Sequence, residues 1–222
     1  TLMKKNNSII LKSSTMKTNK ILFALFLTTA IISCGSTEGK KTEVKEVVAK
    51  SSELAQQKAD INITESSIHW LAKKVTGQHE GNINLVSGSL MMNDGILTGG
   101  SFVVDMTSLN TTDLQGNSKQ KLEGHLKSND FFGVATYPQA KLVFTSVESK
   151  GSGLYTVTGD FTIKGKTNPA TFDLQMSGGS ATAKVVIDRS KYDIRYGSKS
   201  FFDDLGDKVI YDNFDLDVTL KL

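Results

Sequence analysis

From Ser67 onward, apolar and polar residues alternate with a period of two, and the alternation is interrupted by short Gly, Asn and Asp clusters. Ser67 to Val75 reads as a strand holding Ile68 and Trp70, with a turn at Thr76-Gly77-Gln78. Asn82 to Met92 follows as one long or two short strands. Asn93-Asp94-Gly95 is a hairpin signal, because Asp-Gly accepts the positive φ angles of a type I′ turn. Ile96 to Met106 continues with Phe102, Val104 and Met106 in alternation. Lys141 to Ser149 is the next strand, closed by Lys150-Gly151-Ser152-Gly153. Tyr155, Val157, Phe161 and Ile163 then share one face. Asn168-Pro169 is expected to break the chain before Phe172, Leu174 and Met176. Gly178-Gly179 turns it into the strand Ala181 to Asp188. In the last segment Phe214, Leu216, Val218, Leu220 and Leu222 face one way, while Asp215, Asp217, Thr219 and Lys221 face the other. One face is apolar and the other wet, as in an antiparallel sheet.

Eight or nine strands at hairpin intervals close naturally as an up-and-down barrel or a sandwich, and a barrel removes the unpaired edges. The expected class is therefore all-β. One interval departs from the period of two. Between Asp113 and Phe132, the residues Gln120, Leu122, Glu123, Leu126 and Lys127 fit a short amphipathic helix. Ser128-Asn129-Asp130 reads as a cap that starts a second short turn carrying Phe131 and Phe132.

The N-terminal part has a different character. Met16-Lys17-Thr18-Asn19-Lys20 is a basic start, followed by an apolar run from Ile21 to Ile32 and then Ser33-Cys34-Gly35. The run is short for a membrane span and suits a signal-peptide core. Together with Cys34, the only cysteine, it resembles a bacterial lipobox, in which the cysteine is lipidated. The expected organisation is a mis-called start over 1–15, a lipoprotein signal peptide over 16–33, and a lipidated Cys34 with a flexible polar tether over 34–59. The barrel domain is expected over 60–222, beginning at Asp60. The chain would be exported and anchored to a bacterial membrane, on the periplasmic face or the cell surface, without spanning it.

The net charge of +3 hides an asymmetry. Residues 1–59 hold 10 Lys and 4 Asp/Glu, whereas residues 60–222 hold 16 Lys/Arg and 19 Asp/Glu. A mildly acidic domain lacks the electrostatic footprint of a nucleic-acid binder. Catalytic signals are weak as well. His69, His79 and His125 have no metal-ligand spacing, and Ser87-Gly88-Ser89 is not a nucleophile elbow. Gly99-Gly100 is not followed by a helix, so it is no phosphate loop. The acidic run Asp203, Asp204, Asp207, Asp212, Asp215 and Asp217 lacks the EF-hand spacing and reads as a solvated face. Asp188-Arg189-Ser190-Lys191 and Arg195 form either a surface salt-bridge cluster or a contact for an anionic head group. No catalytic residue, metal or cofactor is expected.

Four segments, in order, resemble YceI-like proteins. They are Lys121 to Ser146 (KLEGHLKSNDFFGVATYPQAKLVFTS), Tyr155 to Leu174 (YTVTGDFTIKGKTNPATFDL), Val185 to Ser198 (VVIDRSKYDIRYGS) and the closing LGDKVIYDNFDLDVTLKL. The resemblance spans roughly Ser67 to Leu222. It implies an extended lipocalin-like barrel of eight antiparallel strands with one or two short helices. It further implies a lumen that binds, stores or carries an amphipathic isoprenoid, either a polyprenyl chain or an isoprenoid quinone. Asn168 stands where Lys is usual, Tyr192-Asp193 replaces Phe-Gly, and Trp70 and Lys73-Lys74 replace a Phe and a His. These departures bear on the ligand or its head group rather than on the fold. The candidate lumen set is Trp70, Phe102, Val104, Phe131, Phe132, Phe144, Val157, Phe161, Ile163, Phe172 and Leu174, with Arg189 and Arg195 as candidate head-group contacts. The same alternation would equally build a barrel filled by its own side chains and serving as a structural or interaction module. Expected partners are the lipid or quinone and a membrane reached through Cys34, and a homodimer is admitted.

Overall fold

A computed structural model describes residues 56–222. The strands are β1 (Gln57–Asp60), β2 (Ser67–Lys74), β3 (Gly77–Asn93), β4 (Ile96–Thr111), β5 (Gln139–Gly151), β6 (Leu154–Ile163), β7 (Lys166–Ser177), β8 (Ser180–Asp188) and β9 (Ile210–Lys221). Helix α1 (Gly116–Lys127) lies between β4 and β5. β2 to β9 pair antiparallel in the order β3-β2-β9-β8-β7-β6-β5-β4, and β4 pairs back onto β3. The result is a closed eight-stranded barrel. β6 shows why: every second residue along it is buried, from Tyr155 to Ile163, and the residues between face outward.

Because the strands run up and down, the connections fall at two ends. One end carries the β3–β4, β5–β6 and β7–β8 hairpins. Asp94-Gly95, Ser152-Gly153 and Gly178-Gly179 turn there with both residues at positive φ, the type I′ signature for Asp94-Gly95 among them. The other end carries the β2–β3 and β6–β7 hairpins, the α1 connection and the long β8–β9 excursion through two 3₁₀ turns, Arg189–Tyr192 and Gly206–Lys208. Lys164 binds two of these together, its Nζ donating to the carbonyls of Asn129 at 3.1 Å and Asp193 at 3.4 Å.

Three expectations are corrected. First, the ordered domain begins before Asp60. Gln57–Asp60 form β1 along β3, with Gln57 opposite Met92 and Asp60 opposite Ser89. No apolar period marks this strand, because its stability comes from backbone pairing on an edge rather than from a buried face. Ile61 and Asn62 then donate their N–H groups to the Gly88 and Lys221 carbonyls, which closes the hairpin end.

Second, the chain does not break at Asn168-Pro169. The turn is Lys164-Gly165, both at positive φ, and Pro169 sits within β7 opposite Asp160. β7 pairs with β6 along its length but with β8 only over Leu174 to Ser177. Pro169 therefore occupies a strand with one free side, where a missing N–H costs nothing.

The turn expected at Ser128-Asn129-Asp130 is present and carries Phe131 and Phe132, with the Phe131 N–H donating to the Ser128 carbonyl at 3.1 Å. Ser128 also finishes α1, its Oγ donating to the His125 carbonyl at 2.7 Å. Third, Leu222 lies past the end of β9 and is exposed, outside the apolar stripe of that strand. The region 1–55, with the expected signal peptide, Cys34 and most of the tether, lies outside the described residues.

Candidate functional site

The inward residues of the strands enclose a cavity of about 170 Å³. Its wall is almost wholly hydrocarbon. Only Lys141, Arg189, Tyr211 and Trp70 among the lining residues carry a polar side-chain group. The Trp70 indole N–H is satisfied by the Asn110 carbonyl at 3.1 Å, as a buried donor must be. The ring lies over its cross-strand partner Gly81, where a Cβ would run into both the ring and the Asn110 carbonyl.

Phe102, Phe144, Phe172 and Phe161 form a chain of tilted ring contacts at 5.7, 6.0 and 6.1 Å around one side of the lumen. Such packing adds to the area that each ring buries. α1 roofs the other side. Phe131 and Phe132 meet edge-on at 5.1 Å, and both reach the cavity. Adjacent residues on a strand would point apart, and the turn after α1 lets both point inward. Phe132 also meets Phe214 of β9 at 6.4 Å.

Ten of the eleven candidate lumen residues thus line the cavity, and Val157 does not. Val157 is fully buried in the core. Its cross-strand partner Phe172 carries the longer side chain and presents to the lumen instead. Lining residues outside the candidate set come from the same alternation, notably Ile68, Ile83, Met106, Leu142, Phe214 and Leu216. Spacing of two from Trp70, Val104, Phe144 and along β9 puts Ile68, Met106, Leu142, Phe214 and Leu216 on the inward face, whereas the sequence reading assigns no face to the strand of Ile83.

Arg189 and Arg195 part company. Arg195 is exposed, paired with Asp193 and stacked on Phe201 at 5.0 Å, and it does not border the cavity. Arg189 is only 2% exposed and borders the lumen. It is not a surface ion pair. Its Nε donates to the Tyr211 carbonyl at 3.2 Å, Nη1 to that of Ile194 at 2.8 Å, and Nη2 to that of Ile210 at 3.0 Å. Asp212 Oδ1 lies 3.4 Å from Nη2, too poorly aligned to count as a hydrogen bond, while Oδ2 accepts from Ser200 Oγ. The guanidinium also sits 5.4 Å over the Phe131 ring. Burial pulls the Arg189 pKa below its ordinary value, against the pull of Asp212 and Asp188. Its donors are engaged in tying the β8–β9 excursion to the head of β9, and the phenol of neighbouring Tyr192 is pushed by burial up to about 12.

The histidines form no cluster. His69 lies beside Asn82, and His79 bonds Asp113 at 2.7 Å. His125 meets Tyr196 edge-on at 4.4 Å, with Nε2 buried and unpartnered. Among the described residues no group of three or more His, Cys, Asp or Glu could hold a metal ion. No described helix is long and apolar enough to cross a membrane. The wall is apolar inside and polar outside along β9, the reverse of a transmembrane barrel.

The model of the YceI-like domain matches residues 56–222. The chain belongs to the YceI-like domain family. That span takes in β1, so the edge strand is part of the family domain. Protein YceI of Escherichia coli is 39% identical over 71 residues, covering 32% of this chain and 36% of the relative. A UPF0312 protein of Shewanella denitrificans is 38% identical over 71 residues, covering 32% of this chain and 37% of the relative. The alignments thus span little more than a third of these relatives' own length. Among solved structures, Burkholderia cenocepacia BcnA aligns with a TM-score of 0.58 at 21% identity, over 72% of this chain and 98% of that one. A polyisoprenoid binding domain from Saccharophagus degradans aligns with a TM-score of 0.52 at 15% identity, over 75% and 97%. At such identities the likeness concerns the fold.

Proposed function

We propose that this YceI-like barrel binds, stores or carries an amphipathic isoprenoid, with the apolar chain in the lumen. The observation that carries the reading is a hydrocarbon-walled cavity inside a closed barrel, whose one buried cation is already engaged by backbone carbonyls. Family membership and the fold shared with a polyisoprenoid binding domain support the ligand class. Binding rather than catalysis is part of the same proposal. So is export with a lipid anchor at Cys34, which rests on the sequence pattern of residues 16–35.

The physics is that of apolar transfer. Each CH₂ taken from water gains about 0.8 kcal/mol, less the costs of ordering and desolvation. A cavity of about 170 Å³ is close to the ~150 Å³ of an engineered apolar cavity that takes benzene. With the side chains as they stand, it holds a ring or a short stretch of chain. A long chain enters by displacing the half-buried rings of Phe132, Phe144 and Phe214. The competing reading, a barrel filled by its own side chains, is favoured by the well-packed floor of Leu90, Leu97, Ala181 and Leu220, each at most 4% exposed.

Organic extraction of the gently purified protein followed by mass spectrometry separates the two. An isoprenoid in the extract is the expected result. A clean extract together with no uptake of a polyprenyl probe sinks the carrier reading.

A further inference from the structure

Every exposed aromatic among the described residues sits at one end of the barrel. Tyr196, Phe201, Phe202 and Tyr211 belong to the β8–β9 excursion and the head of β9, and Tyr137 to the α1–β5 connection. Val75, at the tip of the β2–β3 hairpin, is exposed beside them, its N–H donating to the Val209 carbonyl. Isolated exposed apolar residues are ordinary on a protein surface, but a one-ended set of aromatics is not.

Charge is polarised the same way. The connections at this end, residues 73–76, 112–138, 164–166 and 188–212, hold 12 Lys/Arg and 9 Asp/Glu. The rest of 60–222 holds 4 and 10. The excess at this end comes from the α1 connection and the two hairpins, with 7 Lys and 3 Asp/Glu, whereas the excursion itself holds 5 Lys/Arg and 6 Asp/Glu, Asp203, Asp204 and Asp207 among them exposed. Tyr211 joins the two features, since it is 50% exposed and also borders the lumen.

We propose that the α1 end docks on an anionic bilayer surface, with Tyr196, Phe202 and Tyr211 at the headgroup level and the exposed Lys121 of α1 and Lys166 of the β6–β7 hairpin against the lipid charge. Aromatic rings with one wet edge favour the membrane interface, and cations are drawn to anionic lipid. The acidic remainder of the barrel is repelled from the same surface, which fixes the orientation. Resting on the lumen reading, the geometry lets an apolar chain pass from bilayer to cavity at Tyr211 without crossing water.

The test uses the full chain with Cys34→Ser and a polarity-sensitive dye at either Phe202→Cys or Ile96→Cys. Both positions are about half exposed, and they lie at opposite ends. With phosphatidylcholine vesicles containing phosphatidylglycerol, the dye at 202 shifts to the blue and the dye at 96 does not. Salt weakens the shift, and Lys121→Gln with Lys166→Gln lowers vesicle affinity roughly thirtyfold. The apolar N-terminal run alone would hold both dyes near lipid equally. An equal shift at both positions, or none at 202, overturns the docking. If 202 stays in water while a detergent-delivered polyprenyl probe still enters the protein, docking falls and the lumen reading stands. If 202 shifts but no probe enters, docking stands and the lumen reading falls.

Discussion

Arg189 is the residue where chemistry and architecture compete. A buried arginine beside a lipid lumen invites the role of anion receptor, yet three carbonyls and Asp212 already face its donors. Arg189→Met leaves those acceptors buried without a partner and is expected to destabilise by about 3–5 kcal/mol in urea unfolding. Arg189→Lys restores the charge but not the fork, and should recover only part of the loss. In that variant the ratio of affinities for a polyprenyl diphosphate and the matching polyprenol should be unchanged. A selective loss for the diphosphate would restore Arg189 as a head-group contact. Gly81 is the second sensitive position. Gly81→Ala drives a methyl into Trp70 and the Asn110 carbonyl and should cost about 1–3 kcal/mol. The alternation in the sequence made Trp70, Phe102 and Phe161 legible as inward. It could not show that Val157 would be covered by Phe172, because the period of two fixes the face and not the depth. Nor could it show that Arg189 would be buried, since nothing local distinguishes a satisfied arginine from an exposed one.

At the scale of elements, α1 is held by charge as much as by packing. Glu123 accepts from the Thr111 N–H at 2.8 Å and from its hydroxyl at 3.2 Å, and pairs with Lys119 at 3.5 Å. Burial pushes the Glu123 carboxyl upward, but the Thr111 N–H, Lys119 and the Thr111 hydroxyl outweigh it and hold the pKa below the ordinary glutamate value. For Asp113, which anchors the strand before α1, burial is likewise outweighed by His79 and the Glu80 N–H. A carboxyl whose pKa is lowered by folding stabilises the fold above its unfolded pKa, about 4 for either residue. That contribution disappears as pH falls through the folded value. Glu123→Gln should therefore be about 1 kcal/mol less stable than wild type at pH 7 and nearly equal to it near pH 3, by urea unfolding at each pH. The strands with a buried face were legible because they repeat every second residue. β1 and the Pro169 stretch of β7 were not. An edge strand is selected by the backbone beside it, and a proline betrays a free strand side only once the pairing of β7 and β8 is known.

For the whole molecule, eight strands close a wall whose inner surface is hydrocarbon, while aromatic side chains and positive charge gather at the α1 end. The ends differ because alternate connections do. The hairpin end uses two-residue turns and is sealed by Ile61 and Asn62, whereas the α1 end carries every long connection. Affinity for polyprenols should rise with each added isoprene unit and level off once the rings of Phe132, Phe144 and Phe214 can yield no further, as read by competition against a labelled probe. Trp70 gives the most direct test of the lumen itself. It is the only tryptophan in the chain and it lines the cavity. Titration with an isoprenoid quinone should quench its emission saturably in the wild-type protein and leave it unquenched in Phe161→Asp, provided that variant keeps its wild-type circular dichroism. Equal quenching in a folded Phe161→Asp, or none in either protein, would contradict an isoprenoid site in the barrel.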